Sequence, residues 1–290
     1  MRIVLTGSSG RIGRAIYNAL AAADHDVIGI DRTPFGTTTI VGDLVDGELL
    51  ERAMEGADAV IHTAALHAPH VDAVADQEFE RVNVMGTHLV IAAAQAAGVG
   101  RIVFTSTTAL YGHAVTDGGC AWITEETPPK PHTIYHHTKL AGEALLENAA
   151  DRALHARVLR MSRCFPERAD RVAGYRLHRG IDARDVAAAH VAALDNGGPA
   201  FQRYIISGET PLLPTDCRRL AEDAAGLLRE RAPKLSQAFA DRGWTLPATI
   251  DRVYDPSAAI EKLDWKPRYG FKEVLAQLDR QSLEVLPVGQ

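Results

Sequence analysis

The sequence predicts an α/β fold, a Rossmann-type doubly wound parallel sheet with a smaller C-terminal substrate lobe. This prediction starts from three features of residues 1–31. Residues 2–6 form an apolar run typical of a strand, and residues 7–13 place glycines in the spacing GxxGxxG at the start of an amphipathic helix. A second apolar run, Val27 to Ile30, ends in Asp31. The order of strand, tight turn, helix, strand and acid is that of a mononucleotide-binding βαβ unit.

Each glycine of this turn has its own predicted role. Gly7 allows the tight turn, Gly10 allows the backbone to approach a pyrophosphate, and Gly13 lets the helix lie close to the strand. The helix N-terminus presents backbone N–H groups and a partial positive charge to the phosphates. The cofactor-binding residues predicted here are Gly7, Ser9, Gly10, Arg11, Ile12 and Gly13.

The acid at the end of the second strand bears on which dinucleotide binds. Asp31 is placed to accept hydrogen bonds from the adenosine ribose, and its charge opposes a 2′-phosphate, which favours NAD over NADP. Arg32 argues in the other direction, because a guanidinium can pair with that phosphate. A glycine-rich turn in an unrelated α/β protein, with Asp31 in a loop, is the alternative interpretation.

Bulk composition narrows the class of protein. The chain has 290 residues, 46% hydrophobic and 23% charged, as expected of a globular protein with a full core. A net charge of −6 argues against nucleic acid as a partner. No apolar run reaches a membrane span, and a strand at residue 2 leaves no signal peptide, so we expect a cytoplasmic protein without a membrane partner. Cys120, Cys164 and Cys217 are too far apart for a disulfide framework or a zinc module.

Strands and helices alternate along most of the chain, which predicts a parallel sheet covered on both faces. Further strands are predicted at 39–41, 58–61, 101–105, 156–160 and 204–207, and helices at 46–55, 76–97, 135–149, 182–194, 215–229 and 255–263. A loop rich in Gly, Thr and Pro extends to Thr133. We assign residues 1–161, with a returning segment at about 182–207, to an NAD-binding domain. Residues 162–181 and 208–290 then form the substrate lobe.

A tyrosine and a lysine on one predicted helix indicate proton-transfer chemistry. Tyr135 and Lys139 are four residues apart, so both side chains project from the same face. A nearby ammonium and a positive nicotinamide ring would lower the pKa of the phenol, which could then take a proton from an alcohol. A hydroxyl at the end of the fifth strand, Ser106 or Thr107, would hold the substrate oxygen. A simple pair on the helix surface is the alternative.

Short motifs spread over nearly the whole chain match one known family. They are TGSSGRIG (6–13), GDL (42–44), HTAAL (62–66), NVMGT (83–87), VFTSTTALYG (103–112), YHHTKLAGE (135–143), LRMSRCFP (159–166), RDVAAAHVAAL (184–194) and LDWKPRYGF (263–271). With these motifs the chain resembles the extended short-chain dehydrogenases/reductases of the NAD-dependent epimerase/dehydratase group. The resemblance implies NAD as cofactor, a small-molecule substrate of sugar type, and a homodimer formed through the helices at 87–97 and 135–149.

The resemblance also assigns roles to individual residues. It places the active-site hydroxyl on Thr107 and the catalytic pair on Tyr135 and Lys139, with Thr108 as a further substrate contact. Asp43 would meet the adenine amino group, and Asn83 would help to fix the site. The further cofactor-binding positions are Leu44, Ala64, Ala65, Leu66 and Thr105.

One position departs from the family and suggests an anionic substrate. Arg163 stands where sugar-nucleotide enzymes of this group usually carry a substrate-touching asparagine. It opens a run of five arginines, Arg163, Arg168, Arg171, Arg176 and Arg179. Uronate dehydrogenases carry a similar arginine-bearing segment after a related Arg-x-x-x-Cys-x-Pro-Glu run, which here is 160–167. Arg163 is therefore the predicted substrate contact for an acidic sugar, with a solvated loop as the alternative.

The predicted activity is hydride transfer between NAD and a secondary alcohol of a sugar or sugar derivative. The motifs leave open whether the hydride returns to the substrate, as in an epimerase or dehydratase, or leaves with the cofactor, as in a uronate dehydrogenase. A non-catalytic NAD-sensing protein is a third interpretation. No metal is predicted, because the histidine pairs at 67/70 and 136/137 lack further ligands at metal-binding spacing. Cys164 is interpreted as a packing residue rather than a nucleophile.

Overall fold

The chain divides into two units in the computed structural model, which describes residues 1–112 and 118–288. The first unit comprises residues 1–110, 131–160 and 186–204, and the second comprises 111–130, 161–185 and 205–290. The sequence-based division kept 111–130 in the first domain, whereas the structure groups this segment with the second unit. Part of the loop predicted before Thr133, residues 113–117, lies outside the described residues.

A seven-stranded parallel sheet confirms the predicted fold class, with the strand order β3-β2-β1-β4-β5-β7-β8. Its strands are β1 (Arg2–Thr6), β2 (Asp26–Asp31), β3 (Ile40–Val41), β4 (Ala59–His62), β5 (Arg101–Thr107), β7 (His155–Met161) and β8 (Phe201–Ile206). The strand order reverses between β1 and β4, and such a switch point forms a crevice at the carboxyl ends of the strands. Two short strands, β6 (Ala121–Ile123) and β9 (Arg252–Tyr254), pair in parallel in the second unit.

Eleven α-helices are present in the described part of the chain. Five lie in the first unit: α1 (Arg11–Ala22), α2 (Gly47–Met54), α3 (Asp76–Phe79), α4 (Gly86–Ala96) and α5 (Ile134–Ala149). The second unit contains α6 (Ala169–Tyr175), α8 (Cys217–Arg231), α9 (Pro233–Asp241), α10 (Ser257–Lys262) and α11 (Phe271–Asp279), while α7 (Ala183–Asp195) runs from the second unit into the first. None of the described helices is long and apolar enough to cross a membrane.

The helix predicted over 76–97 is interrupted, which is a correction to the sequence-based assignment. Between α3 and α4, residues Glu80–Met85 form a π-helical segment. A π-helical turn shifts the side chains that follow it relative to a regular α-helix, and such insertions often lie at functional sites. Asn83 is buried inside this segment, so the irregular turn belongs to the part of the chain that carries a predicted site residue.

The glycine turn has the backbone geometry that its residue types require. Gly7 adopts a φ of 74°, which a residue with a side chain rarely adopts, and its N–H donates to the Ile30 carbonyl oxygen at 2.8 Å. A Cβ at Gly13 would collide with the Gly7 carbonyl oxygen. These two glycines therefore hold β1, the turn and α1 close together, as predicted for this motif.

A buried polar chain crosses the core of the first unit. His62 ends β4, where its Nδ1 lies 2.7 Å from Thr6 Oγ1 and its Nε2 lies 3.0 Å from Thr87 Oγ1. The Thr87 hydroxyl donates to the Asn83 carbonyl oxygen at 2.6 Å, so Nε2 of His62 carries the proton and donates to Thr87. Burial, together with the positive charge of Lys139, lowers the pKa of His62 to about 3. The imidazole is therefore neutral in the folded protein at physiological pH.

In the second unit, one carboxylate holds the segment that follows α10. The Asp185 carboxylate accepts hydrogen bonds from the backbone N–H groups of Arg268 and Tyr269 at 2.8 and 3.0 Å. The Trp265 indole N–H donates to the backbone carbonyl oxygen of Asp185. Burial raises the pKa of Asp185. These bonds join residues of two of the matching motifs, RDVAAAHVAAL (184–194) and LDWKPRYGF (263–271).

We expect acid to destabilise the protein through His62. Below pH 6.5 the unfolded chain binds a proton at this histidine that the folded state, with a pKa of about 3, does not bind. The free energy of unfolding should therefore fall by about 1.4 kcal/mol for each pH unit lost between these values. Urea unfolding at pH 7 and pH 5 should show a weaker pH dependence for His62→Gln than for the exposed control His137→Gln. Equal pH dependences in the two variants would contradict this assignment.

Candidate active site

The acid at the end of β2 is held against the glycine turn. Asp31 accepts the Ser9 N–H at 3.0 Å and the Thr33 N–H at 2.9 Å. A Cβ at Gly7 would collide with the backbone of Ala64, so the loop after β4 lies against the same turn. The structure thus brings together three predicted cofactor-binding segments, residues 7–13, Asp31 and 64–66. It also shows that the Asp31 carboxylate bonds to the backbone of the protein.

Four charged side chains form a cluster that includes two predicted cofactor residues. The Arg32 guanidinium lies 3.8 Å from Asp43 and 3.7 Å from Glu78, while Arg81 donates to the same two carboxylates at 3.0 and 2.7 Å. Burial raises the pKa of Asp43, but the hydrogen bonds from Arg81 and Val45 outweigh it and hold that pKa below its usual value. Sequence reasoning missed Glu78 and Arg81, although their i,i+3 spacing of opposite charges was a signal.

Asn83 connects the loop after β4 to helix α5. Its Oδ1 accepts the Leu66 N–H at 2.8 Å, and its Nδ2 donates to the Leu66 carbonyl oxygen at 2.9 Å and to Thr138 Oγ1 at 3.0 Å. Because all three bonds are buried, breaking them would leave unsatisfied polar groups. Asn83 therefore fixes the predicted cofactor loop relative to the helix that carries Tyr135 and Lys139.

Thr107 ends β5, and Tyr135 lies in the first turn of α5. The predicted active-site hydroxyl is close enough to the predicted base to act on its ionisation. Burial raises the pKa of Tyr135 to about 12, and the Thr107 hydroxyl opposes that increase. The expected lowering of this pKa by Lys139 is not found, because the charge of Lys139 does not act measurably on the phenol in the structure.

Lys139 is a buried cation one helical turn after Tyr135. Its Nζ lies 3.8 Å from the centroid of the Phe104 ring. Burial lowers the pKa of Lys139 to about 7, and the negative charge of Glu143 works against that decrease. The arrangement places a titratable amine and a protonated phenol on one face of α5, close to a hydroxyl donor.

Three buried polar pairs near this site were not anticipated from the sequence. Ser106 Oγ donates to Glu143 at 2.5 Å, and Arg160 forms a buried ion pair with Glu143 at 2.6 Å. Thr105, a predicted cofactor contact, has its hydroxyl 2.7 Å from Nε2 of the buried His190. A glutamate and an arginine inside otherwise apolar helix and strand faces were the available signal, but nothing in the sequence paired them.

The remaining predicted site residues differ in how far they are exposed to solvent. Leu44 and Thr108 are buried, whereas Ala64 and Ala65 are partly exposed and Gly10 is exposed at the start of α1. No group of three or more histidine, cysteine or acidic side chains that could hold a metal is found within residues 1–112 and 118–288. Cys164 is buried, consistent with a packing role.

The five arginines of 163–179 divide into two kinds. Arg176 is buried and paired with Asp182 at 3.1 Å, so it is a structural residue of the second unit. The guanidinium carbons of Arg163 and Arg179 lie 5.8 and 4.4 Å from the Tyr175 ring centroid. Burial lowers the pKa of Arg163, and the charges of Arg179 and Arg171 act in the same direction. Arg163 also pairs with Glu167. Arg163, Arg171 and Arg179 thus lie in one neighbourhood, where Glu167 is the counter-ion of Arg163.

Curated relatives of the chain include dehydrogenases and epimerases. L-arabinose 1-dehydrogenase (NAD(P)(+)) of Haloferax volcanii is 38% identical over 163 residues, which cover 52% of this chain and 62% of the relative. UDP-glucose 4-epimerase of Azospirillum brasilense is 30% identical over 170 residues, 55% of this chain and 48% of the relative. The chain therefore spans about half the length of the curated relatives that it matches.

Solved structures share the fold over almost the whole chain. A short-chain dehydrogenase/reductase superfamily protein from Agrobacterium tumefaciens with bound NAD has a TM-score of 0.72 at 23% identity, covering 97% of this chain and 98% of its own. MoeE5 in complex with UDP-glucose and NAD has a TM-score of 0.70 at 23% identity, covering 98% and 100%. The family model of the NAD dependent epimerase/dehydratase family matches residues 3–179, more than half of the chain. The chain belongs to the NAD dependent epimerase/dehydratase family.

Proposed function

We propose that this chain is an NAD-dependent oxidoreductase that transfers a hydride at a secondary alcohol of a sugar or sugar derivative. The observation that carries the proposal is the placement of Tyr135 and Lys139 one turn apart on α5, with the Thr107 hydroxyl at the end of β5 close enough to act on the Tyr135 phenol. The glycine turn of residues 7–13 belongs to the same unit. A hydroxyl, a phenol and an amine in the same unit as a dinucleotide-binding turn are the groups that alcohol oxidation needs.

The residues of the turn fit a dinucleotide. The N-cap of α1 is Gly10, which is exposed and has no side chain to occupy the N-terminal N–H groups. Among the described residues, a Cβ at Gly10 would meet only the Gly7 carbonyl oxygen, at 3.3 Å, so a pyrophosphate can approach the backbone closely. The turn would hold the pyrophosphate and Asp31 the ribose. The rest of the cofactor site would be formed by Asp43, Leu44, Asn83, Thr105 and residues 64–66.

In the proposed reaction, each catalytic residue of the chain has one task. NAD would supply a hydride acceptor whose ring carries a positive charge. The Thr107 hydroxyl positions the substrate oxygen, and Tyr135 takes the proton from the substrate alcohol. To accept that proton Tyr135 must first have lost its own to solvent, and it becomes a phenol again in the transfer. The Lys139 ammonium would stabilise the phenolate that precedes this step, because opposite charges interact strongly in a buried site. Thr108 is a further proposed substrate contact.

Two variants of the activity remain within this proposal. Relatives named as a dehydrogenase and as an epimerase support NAD chemistry on carbohydrate substrates without choosing between the two outcomes. The grouping of Arg163, Arg171 and Arg179 favours the second candidate, a uronate or sugar-acid dehydrogenase with dissociable NAD. We also propose a cytoplasmic homodimer that buries the alanine-rich faces of α4 and α5.

Replacing the base should separate catalysis from binding. Tyr135→Phe keeps the ring and removes the proton acceptor, so turnover should fall by about 10²-fold or more while NAD affinity changes little. Lys139→Met should lower both the turnover and the affinity for NAD. The assay is a screen of free sugars, uronates and sugar nucleotides with NAD, monitored by the absorbance of the reduced cofactor and by product analysis. Near-normal turnover of Tyr135→Phe would exclude Tyr135 as the base, and binding of NAD without any turnover would favour a sensing protein.

Cofactor choice should favour NAD over NADP by about tenfold, or about 1.4 kcal/mol. The Asp31 carboxylate opposes a 2′-phosphate, and Arg32 lies beside the carboxylates of Asp43 and Glu78. Calorimetric titration of both cofactors into the wild type and into Arg32→Ala measures this directly. Equal or tighter binding of NADP by the wild type, lost in Arg32→Ala, would show that Arg32 governs the pocket instead.

We expect Arg163 to recognise the negative charge of an acidic sugar substrate. Removing one partner of a desolvated charge pair costs about 2–5 kcal/mol, so Arg163→Ala should raise the KM for a uronate by about 30-fold or more. The KM for the neutral sugar should change little. Arg168→Ala, an exposed arginine paired with Asp170, is the matched control. An equal effect of Arg163→Ala on charged and neutral sugars would make this arginine structural.

A further inference from the structure

One carboxylate connects the strand that carries Thr107 to the helix that carries Tyr135 and Lys139. Glu143 lies on α5 one turn after Lys139 and is 2% exposed. Its Oε1 accepts the Ser106 hydroxyl at 2.5 Å and Nε of Arg160 at 3.0 Å, and its Oε2 accepts Nη2 of Arg160 at 2.6 Å. Ser106 immediately precedes Thr107 on β5, so the carboxylate holds α5 beside the end of that strand.

The charges around Glu143 are mostly positive. Arg160 on β7 is buried against it, and Nε of Arg203 on β8 lies 4.0 Å away. Arg203 has its own partner in the exposed Glu147, at 2.7 Å. Lys139 is a further cation on the same helix face, and the histidines whose pKa responds to its charge are His62 and His67. Glu143 is thus a carboxylate paired with a strand arginine, and its charge also acts on the buried lysine one turn before it on α5.

We propose that Glu143 is a positioning residue for the Tyr135–Lys139 pair: anchored by Ser106 and Arg160, it supplies the counter-charge that keeps Lys139 an ammonium. The proposal rests on the function proposed above. An i,i+4 neighbour on a helix lies close enough for its charge to act on the lysine. The same carboxylate joins α5 to β5 through Ser106, next to Thr107, and so sets the distance between the Thr107 hydroxyl and Tyr135.

A purely structural role for the Glu143–Arg160 ion pair would explain its hydrogen bonds. It would not explain why the pair lies one helical turn from Lys139. A buried ion pair gains little net stability over apolar residues of the same shape, because its desolvation offsets its attraction. An ion pair placed one turn from a buried lysine, however, changes the charge state of that lysine. The two interpretations differ in one measurable property, the titration midpoint of Lys139.

The test measures that midpoint without using activity. The chain has six lysines, so ¹³Cε-lysine labelling gives few NMR signals, and Lys139→Met identifies the one in question. In the protein without cofactor, Glu143→Gln should lower the Lys139 midpoint by about one pH unit. Glu147→Gln, one turn further along α5 and exposed, is the matched control and should leave the midpoint unchanged.

A second variant removes the concern that an unpaired Arg160 simply unfolds the protein. The double variant Glu143→Met with Arg160→Met removes the arginine that Glu143→Gln leaves unpaired, so its thermal stability should exceed that of Glu143→Gln. Its Lys139 midpoint should nevertheless remain as low as in Glu143→Gln. A wild-type midpoint in either variant would overturn the proposal and leave Glu143 as a packing residue.

Activity provides an independent readout. Above the midpoint, the ammonium fraction of Lys139 falls tenfold for each unit by which its pKa drops, so kcat of Glu143→Gln at pH 8 should fall about tenfold with little change in KM. An unchanged kcat, with a shifted midpoint, would overturn the link between Glu143 and the catalytic pair. If the wild type turns over no sugar at all, the proposed function fails, and the NMR titration still decides whether Glu143 sets the charge of Lys139.

Discussion

The burial of the Lys139 ammonium is the constraint on which the site depends. An amine removed from water strongly favours its neutral form, and here its surroundings are the Phe104 ring, the Glu143 carboxylate and the helix itself. Because the cation lies so deep, every polar group near it must be satisfied or neutral. His62 is accordingly neutral and doubly hydrogen-bonded, and Glu143 is held by two further elements. The polar residues around α5 therefore form one coupled arrangement rather than separate pairs.

The two catalytic candidates are shifted in opposite directions by the same cause. Burial raises the pKa of Tyr135 to about 12 and lowers that of Lys139 to about 7, since it disfavours the charged form of each. A phenolate and an ammonium formed together would stabilise each other, because the energy of an opposite-charge pair grows as the local dielectric falls. A buried Tyr-Lys pair thus keeps the phenol protonated until a further positive charge enters the site.

Local sequence patterns were enough to predict the parts of the site that lie within one segment. The glycine turn, the acid at the end of β2 and the Tyr135–Lys139 spacing each follow from residues close in sequence, and the structure places them between β1 and α1, at the end of β2 and on α5. Glu143 and Arg160 could not be paired this way, because their contact joins a helix to a strand. The same holds for Arg32 with Asp43 and Glu78. The π-helical turn around Asn83 and strands β6 and β9 were missed because short elements without periodicity leave no pattern.

The most direct measurement is the ionisation of the Tyr135 phenol, followed by ultraviolet absorbance as the difference between the wild type and Tyr135→Phe. Recorded with and without NAD, it tests whether a buried phenol beside Lys139 becomes a base when a positive ring is added. If Tyr135 is the base, its phenol should ionise with a midpoint near pH 12 without NAD and with a midpoint lower by about one pH unit or more when NAD is bound. A midpoint that NAD leaves unchanged would contradict the assignment of Tyr135 as the base.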